Sequence, residues 1–313
     1  MGSNELRRQI GRFLSFEVVE AEVPFAAKDR VEEDGYCRLP ISYAGAEGDR
    51  IPAFLLLPEG DGPFAAVLVH HQHHGQRHLG KSEVCGLAGD PLQAFGPALA
   101  RRGIVVLAPD SVCFEDRRHG QSGTEPHALD VAQHFDEMCF RLLRGDTLMR
   151  KVLDDSARAI SLLRQHPQVD SARIGIMGHS YGGNTVLFHA PLDERIAFAC
   201  SSGAACSFAY KMSHHVGIEM AEAIPGFASR FDVWDLVSCT APRPMLLVSA
   251  TEDKHSMDAP AIVEKARGAY EALGQWKRLE HARYVGEHEV TQERFDAIVQ
   301  WLATRASEQP TWA

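Results

Sequence analysis

Positive charge is in short supply. Thirty-two lysines and arginines face 42 aspartates and glutamates, for a formal net charge of −10. That balance argues against a nucleic-acid surface and against binding to anionic lipid. No apolar run approaches the eighteen or so residues of a membrane span. The first eight residues, Met1 to Arg8, lack the apolar stretch of a secretory signal, so a cytoplasmic protein is expected. Met1-Gly2-Ser3 reads as either a cloning scar or a native start. Cysteines number seven, an odd count with no C-x-x-C among them. A regular disulfide framework is thereby disfavoured, and reduced, buried thiols are expected. Internal repeats and low-complexity segments are absent as well.

What is present suits a packed enzyme-sized core. Hydrophobic residues make up 45% of the 313 and charged residues 24%, which argues against general disorder. Leu6, Ile10, Phe13 and Leu14 recur at helical spacing. This N-terminal helix belongs to an arm over residues 1–36 and allows a homodimer. Residues 37–313 read as one α/β domain. Phe16 to Phe25 alternates loosely, as an edge strand would. Cys37 to Tyr43 and Ile51 to Leu57 form an antiparallel pair around a Gly45–Gly48 turn.

Strands and helices then alternate. Strands are predicted at Ala65–His70, Ile104–Ala108, Arg173–Met177, Ile196–Cys200, Met245–Ser249 and within Trp276–Tyr284. Helices are predicted at Leu92–Arg102, Asp146–Gln165, Asn184–His189, Pro260–Leu273 and Thr291–Ala306. Such alternation means a mostly parallel, doubly wound sheet with helices on both faces. Two long stretches, about 111–145 and 204–239, break the rhythm. They are expected as lid-like insertions over the C-terminal edge of the sheet, where open α/β folds bind ligands.

Gly178-His179-Ser180-Tyr181-Gly182 fits G-x-S-x-G between a predicted strand and a predicted helix. A chain that turns so sharply holds its serine strained at the tip, and a side chain at 178 or 182 would collide with a neighbouring element. An elbow serine needs a base, and the base needs a carboxylate to hold its tautomer. In this fold the chain order is Ser, Asp or Glu, His. Asp253, after the strand at 245–249, is the first choice for the acid, with Glu252 and Asp258 as neighbours and Asp232 and Asp235 further off. His288, between the last strand and the last helix, is the base. An oxyanion hole requires two backbone N–H donors, each worth about 3–4 kcal/mol to a developing alkoxide. Tyr181 supplies one. The second comes from the loop His70–Gly75, with His73 first and Gln72 second.

Three blocks carry a family likeness: Val67-Leu68-Val69-His70-His71-Gln72 with Gly80-Lys81-Ser82-Glu83; Leu107-Ala108-Pro109-Asp110; and the elbow with its later Asp and His. From about Ile51 onward the chain resembles the α/β-hydrolase superfamily, in particular its dienelactone-hydrolase-like and acetyl-xylan-esterase-like branches. The resemblance implies a serine-dependent esterase, although dienelactone hydrolases themselves carry cysteine where this chain has Ser180. His71-Gln72 also stands where His-Gly is usual in the family.

Sixteen histidines raise a rival reading, a metal site. No H-E-x-x-H motif supports it, and neither metal nor cofactor is expected. Some of these histidines should line the substrate pocket; His71, His74 and His214 are named for that, with Arg117. Arg117 and Arg118 otherwise pair with acids such as Glu115 or Asp116. The sequence therefore predicts hydrolysis of a carboxylic ester, or a related acyl bond, in a small-molecule substrate through an acyl-enzyme on Ser180. Its alternatives are acyl transfer or cyclisation with the same triad, and a binding protein that keeps only the fold.

Overall fold

The computed structural model describes residues 3–310, so Met1 and Gly2 of the N-terminal tripeptide lie outside the described residues. Ten strands form one sheet: β1 (Phe25–Ala27), β2 (Val31–Glu33), β3 (Tyr36–Ala44), β4 (Arg50–Pro58), β5 (Phe64–His70), β6 (Val105–Pro109), β7 (Val169–His179), β8 (Phe198–Ser202), β9 (Met245–Ala250) and β10 (Leu279–Tyr284). Their order is β1-β3-β4-β6-β5-β7-β8-β9-β10, with β2 also on β3. Pairing is antiparallel from β1 to the β4–β6 contact and parallel from β6 through β10.

Around the sheet lie α1 (Ser3–Phe13), α2 (Lys81–Val84), α3 (Phe95–Ala100), α4 (Asp130–Leu143), α5 (Leu148–Gln165), α6 (Tyr181–Leu192), α7 (Phe208–Ser213), α8 (Val233–Thr240), α9 (Ala259–Glu271) and α10 (Gln292–Ser307). Alternate strand residues face opposite sides. Val67, Val69, Met177 and Val248 pack with Phe95, Leu99, Ile298 and Leu302 of α3 and α10. Ala66, Leu68, Ile174 and Ile176 pack with Ile160, Leu163 and Val186 of α5 and α6. Both faces are apolar because both are covered.

The topology decides where chemistry can occur. From β5 the chain crosses to β6 on one side, and then returns to β7 on the other. The loops leaving β5 and β7 therefore diverge, and a crevice opens between the strand ends. The register sets His70 beside Gly178 at that opening.

The edge strand expected over Phe16–Phe25 does not form; only Phe25–Ala27 pairs, with Tyr43–Ile41. Pro24 has no N–H to give a ladder, and the Val23 N–H donates instead to Gln165 Oε1. The helix expected from Leu92 is interrupted as well. Pro91–Gln93 is a single tight turn and α3 begins at Phe95, because the ring of Pro97 would strike the carbonyl of Gln93 in a continuous helix. Trp276–Arg278 is likewise a tight turn preceding β10. No disulfide joins the seven cysteines among the described residues, and six of them are buried. No helix among the described residues is long and apolar enough to cross a membrane.

Candidate active site

Ser180 stands between the end of β7 and the first turn of α6, with φ +55° and ψ −117°. A non-glycine residue rarely adopts positive φ, and the strain persists only where the surroundings over-determine it. Here they do. The Ser180 N–H donates to the Ser202 carbonyl at 2.8 Å, and Asn184 N–H returns to the Ser180 carbonyl. A Cβ at Gly178 would lie 2.3 Å from the carbonyl carbon of Gly182, and one at Gly182 would lie 2.3 Å from the His70 carbonyl oxygen.

His288 Nε2 is 2.9 Å from Ser180 Oγ, and His288 Nδ1 is 3.0 Å from Asp253 Oδ1. Opposite a carboxylate, Nδ1 carries the proton, which leaves the Nε2 lone pair facing the serine hydroxyl. Asp253 is buried and is itself held by the Ser256 hydroxyl and the His255 N–H. Burial acts to raise its pKa, but the bond from His288, with those from Ser256 and His255, outweighs it and holds the carboxyl below its usual range. Three residues separated by 73 and 35 positions thus form one hydrogen-bonded row.

Two further imidazoles flank His288. The His179 ring is centred 4.9 Å from it and the His255 ring 5.1 Å. Burial, followed by the neighbouring His288, lowers the first to about 3 and the second to about 4, so both are neutral near pH 7. Gly203, at φ +61°, gives His179 and His288 room; a Cβ there would sit 2.7 Å from His179 Cε1 and 3.2 Å from His288 Cε1.

A cavity of about 180 Å³ opens beside Ser180. Tyr181, Asn184 and Gly203 line it from the sheet side, His73 and His255 from the loops, and Lys211, Gly217, Ile218, Glu219 and Glu222 from the second insertion. Lys211 Nζ reaches both Glu222 oxygens, at 2.7 and 2.6 Å. His73 Nε2 bonds Glu219 Oε2, and His73 Nδ1 accepts from the Gly75 N–H. Burial works to raise the Glu219 pKa, but the bond from His73 outweighs it and leaves the carboxyl at about 2.

The first insertion backs the elbow rather than the cavity. Ser111 Oγ is 2.6 Å from Tyr181 OH, and Phe114 packs on the Tyr181 ring with centroids 5.1 Å apart. Tyr181 opens α6, so its N–H is one of the four at a helix start that no helical carbonyl satisfies.

The other residues named from sequence lie elsewhere. His71 is buried behind the loop, where its Nε2 accepts the Ser111 N–H and its Nδ1 donates to the Gln72 carbonyl; burial lowers it to about 4. The Gln72 amide turns away to Glu83. His74 is exposed at φ +35°. His214 is exposed and stacks on Tyr210. Arg117 does not line the cavity beside Ser180: its guanidinium bonds Asp49, Asp155 and the Asp110 carbonyl. Nor do the two arginines pair with the expected acids, since Arg118 bonds Asp130.

Glu115 and Asp116 instead join Asp110 around the Lys81 ammonium, which is 2.8 Å from both aspartates. This is the one cluster among the described residues whose carboxylates could together hold a metal ion, and a lysine sits at its centre.

Sequence reasoning missed Asn184, Lys211, Glu219, Glu222 and His255. Asn184 was within reach, since position i+4 from Ser180 shares its helix face. The other four depend on how loops and the second insertion fold.

Comparison with known proteins agrees with this architecture. Residues 51–205 match the model of the "Dienelactone hydrolase family", and residues 156–274 match "BAAT / Acyl-CoA thioester hydrolase C terminal". The protein named "Putative hydrolase YtaP" from Bacillus subtilis (strain 168) is 32% identical over 217 residues, which span 66% of this chain and 66% of that protein. Among solved structures, a "putative acetyl xylan esterase" from Bacteroides fragilis NCTC 9343 superposes with TM-score 0.76 at 14% identity, over 96% of this chain and 86% of that one. A glucuronoyl esterase from Solibacter usitatus gives TM-score 0.69 at 15% identity, over 96% and 92%. The family match runs through the elbow, and the sheet carries that elbow to the switch point between β5 and β7: the chain belongs to the dienelactone-hydrolase-like branch of the α/β-hydrolase superfamily.

Proposed function

We propose that the protein hydrolyses a carboxylic ester through an acyl-enzyme on Ser180. The observation that carries this reading is the hydrogen-bonded row from Ser180 through His288 to Asp253. His288 Nε2 takes the hydroxyl proton as Oγ attacks the ester carbonyl. Asp253 stabilises the imidazolium that results and keeps the ring turned toward the serine. The Tyr181 N–H, at the positive end of α6, faces the negative charge that develops on the carbonyl oxygen. A second donor comes from the His73 or Gln72 backbone. The imidazolium then protonates the departing alkoxide. Water, deprotonated by the same ring, attacks the acyl carbon and frees Ser180 with a carboxylic acid.

Esterase names among the structural neighbours and the acyl-CoA thioester hydrolase match point to the same bond type, a carbonyl joined to an oxygen or sulfur leaving group. The test is hydrolysis of p-nitrophenyl acetate. Wild type should turn it over, Ser180→Ala should lose at least about 10³-fold in kcat, and a fluorophosphonate probe should label Ser180 alone. Turnover unchanged in Ser180→Ala removes this residue from the reaction. A transferred or cyclised product, in place of free acid, would identify an acceptor other than water.

A further inference from the structure

Two acceptors in the cavity beside Ser180 have nothing to accept from. Glu219 is nine-tenths buried. Its Oε2 takes the bond from His73, while Oε1 meets no hydrogen-bond partner among the described residues. Asn184 is 8% exposed, and its Oδ1 is also without a partner among them. Both residues line the same space as the nucleophile. A buried acceptor left unpaired is costly, and a carboxylate oxygen more so than an amide. The cavity is therefore short of hydrogen-bond donors.

Charge narrows the kind of donor. The Lys211 ammonium is already matched by Glu222. Glu219 faces the Arg77 guanidinium across His73, since Arg77 Nη1 lies 3.1 Å from His73 Nδ1. An added ammonium would enter a site whose charges already balance, beside the Lys211 cation. A neutral hydroxyl supplies the missing donor without adding charge. The volume of about 180 Å³ suits a group of a few heavy atoms.

From this we infer that Glu219 and Asn184 select an ester bearing a hydroxyl close to its reacting carbonyl, on either the acyl or the alcohol side. The inference rests on the serine-ester reading above. The substrate hydroxyl donates its one proton to Glu219 Oε1; Asn184 Oδ1, in the same cavity, is the alternative acceptor.

Two substrate pairs test it: phenyl hydroxyacetate against phenyl acetate, and 2-hydroxyethyl acetate against ethyl acetate. In wild type the hydroxylated member of at least one pair should be favoured in kcat/KM by about tenfold or more. The pair that shows it identifies the side that carries the hydroxyl. Glu219→Gln keeps an oxygen for His73 but removes the charged acceptor; its N–H₂ can offer the hydroxyl oxygen only a neutral bond, so the preference should fall several-fold. Asn184→Leu should weaken it. A ratio of specificity constants within one preparation cancels the fraction of folded enzyme, so a destabilised variant remains informative. Equal ratios in wild type, or a preference undiminished in Glu219→Gln, overturn the inference while leaving the serine-ester reading intact. Failure of wild type to hydrolyse any of the four esters overturns both.

Discussion

Gly182 lies so close to His70 that a methyl group on its α-carbon would sit 2.3 Å from the His70 carbonyl oxygen and 2.9 Å from that of His71. The first turn of α6 is thereby seated on the end of β5, and the seat fixes both the nucleophile and the loop opposite it. Backbone is on the far side of the contact, so no side chain can swing away to relieve it. Gly182→Ala should cost about 1–3 kcal/mol of stability through overpacking. Its kcat on p-nitrophenyl acetate should fall by more than tenfold, because the elbow must shift. Gly268 in α9 is the control: open space surrounds it, and Gly268→Ala should gain about 0.5–1 kcal/mol from helix propensity with kcat unchanged. Urea unfolding and initial rates on the two variants check both expectations.

Asp253 offers a test that separates orientation from attack. Asp253→Asn retains the size of the side chain but can present an amide N–H₂ to His288 Nδ1. The ring then carries its proton on the wrong nitrogen, and kcat should fall by roughly 10³–10⁴-fold while fluorophosphonate labelling slows in parallel. The substitution also acts on stability. The Asp253 carboxyl is held below its ordinary range in the folded protein, so its contribution is present above the unfolded-state pKa and disappears as pH falls through the folded one. The urea midpoint of Asp253→Asn should lie below wild type at pH 7, and the gap should narrow below about pH 4. A gap that widens in acid contradicts the assignment.

Much of this site was legible in the chain because its parts are short-range. Strand, glycine-bounded elbow and helix occupy consecutive residues, and the order Ser180, Asp253, His288 follows from which strand ends the fold makes available. The cavity walls were not legible. Lys211, Glu219 and Glu222 belong to the stretch 208–229, which holds one six-residue helix and brief tight turns and whose course depends on the ion pair and the His73 contact it finally makes. Arg117 misled for the opposite reason. Its pairs, Asp49 and Asp155, are 68 and 38 residues away, whereas the nearby acids were already committed to Lys81. Local sequence signals charge without saying which opposite charge it will meet. Pro97 carried a signal for an interrupted helix, although the apolar spacing from Leu92 read straight through it.

Glu83 makes the loop beneath the cavity sensitive to pH. Its carboxyl is buried and accepts the Gln72 amide at 3.2 Å. Burial, reinforced by the nearby Asp90 and Glu115 charges and only partly offset by the bonds from Gln72 and Asp90 N–H, pushes its pKa up to about 7. A carboxyl raised on folding binds its proton more tightly in the folded state. Its stabilising effect is complete below the unfolded-state value near 4.5 and is lost as pH rises to about 7. The loss is of order 3 kcal/mol at most, from the size of that shift. Glu83→Gln is uncharged at every pH and can still accept from Gln72. Its melting temperature should match wild type near pH 4.5, exceed it progressively up to about pH 7, and hold a constant lead above pH 8. Thermal unfolding of both proteins across pH 4.5–9 measures this difference. A lead that appears in acid and closes toward neutrality would assign Glu83 the opposite sign, as an ionised carboxylate that holds the Gln72 loop through its charge.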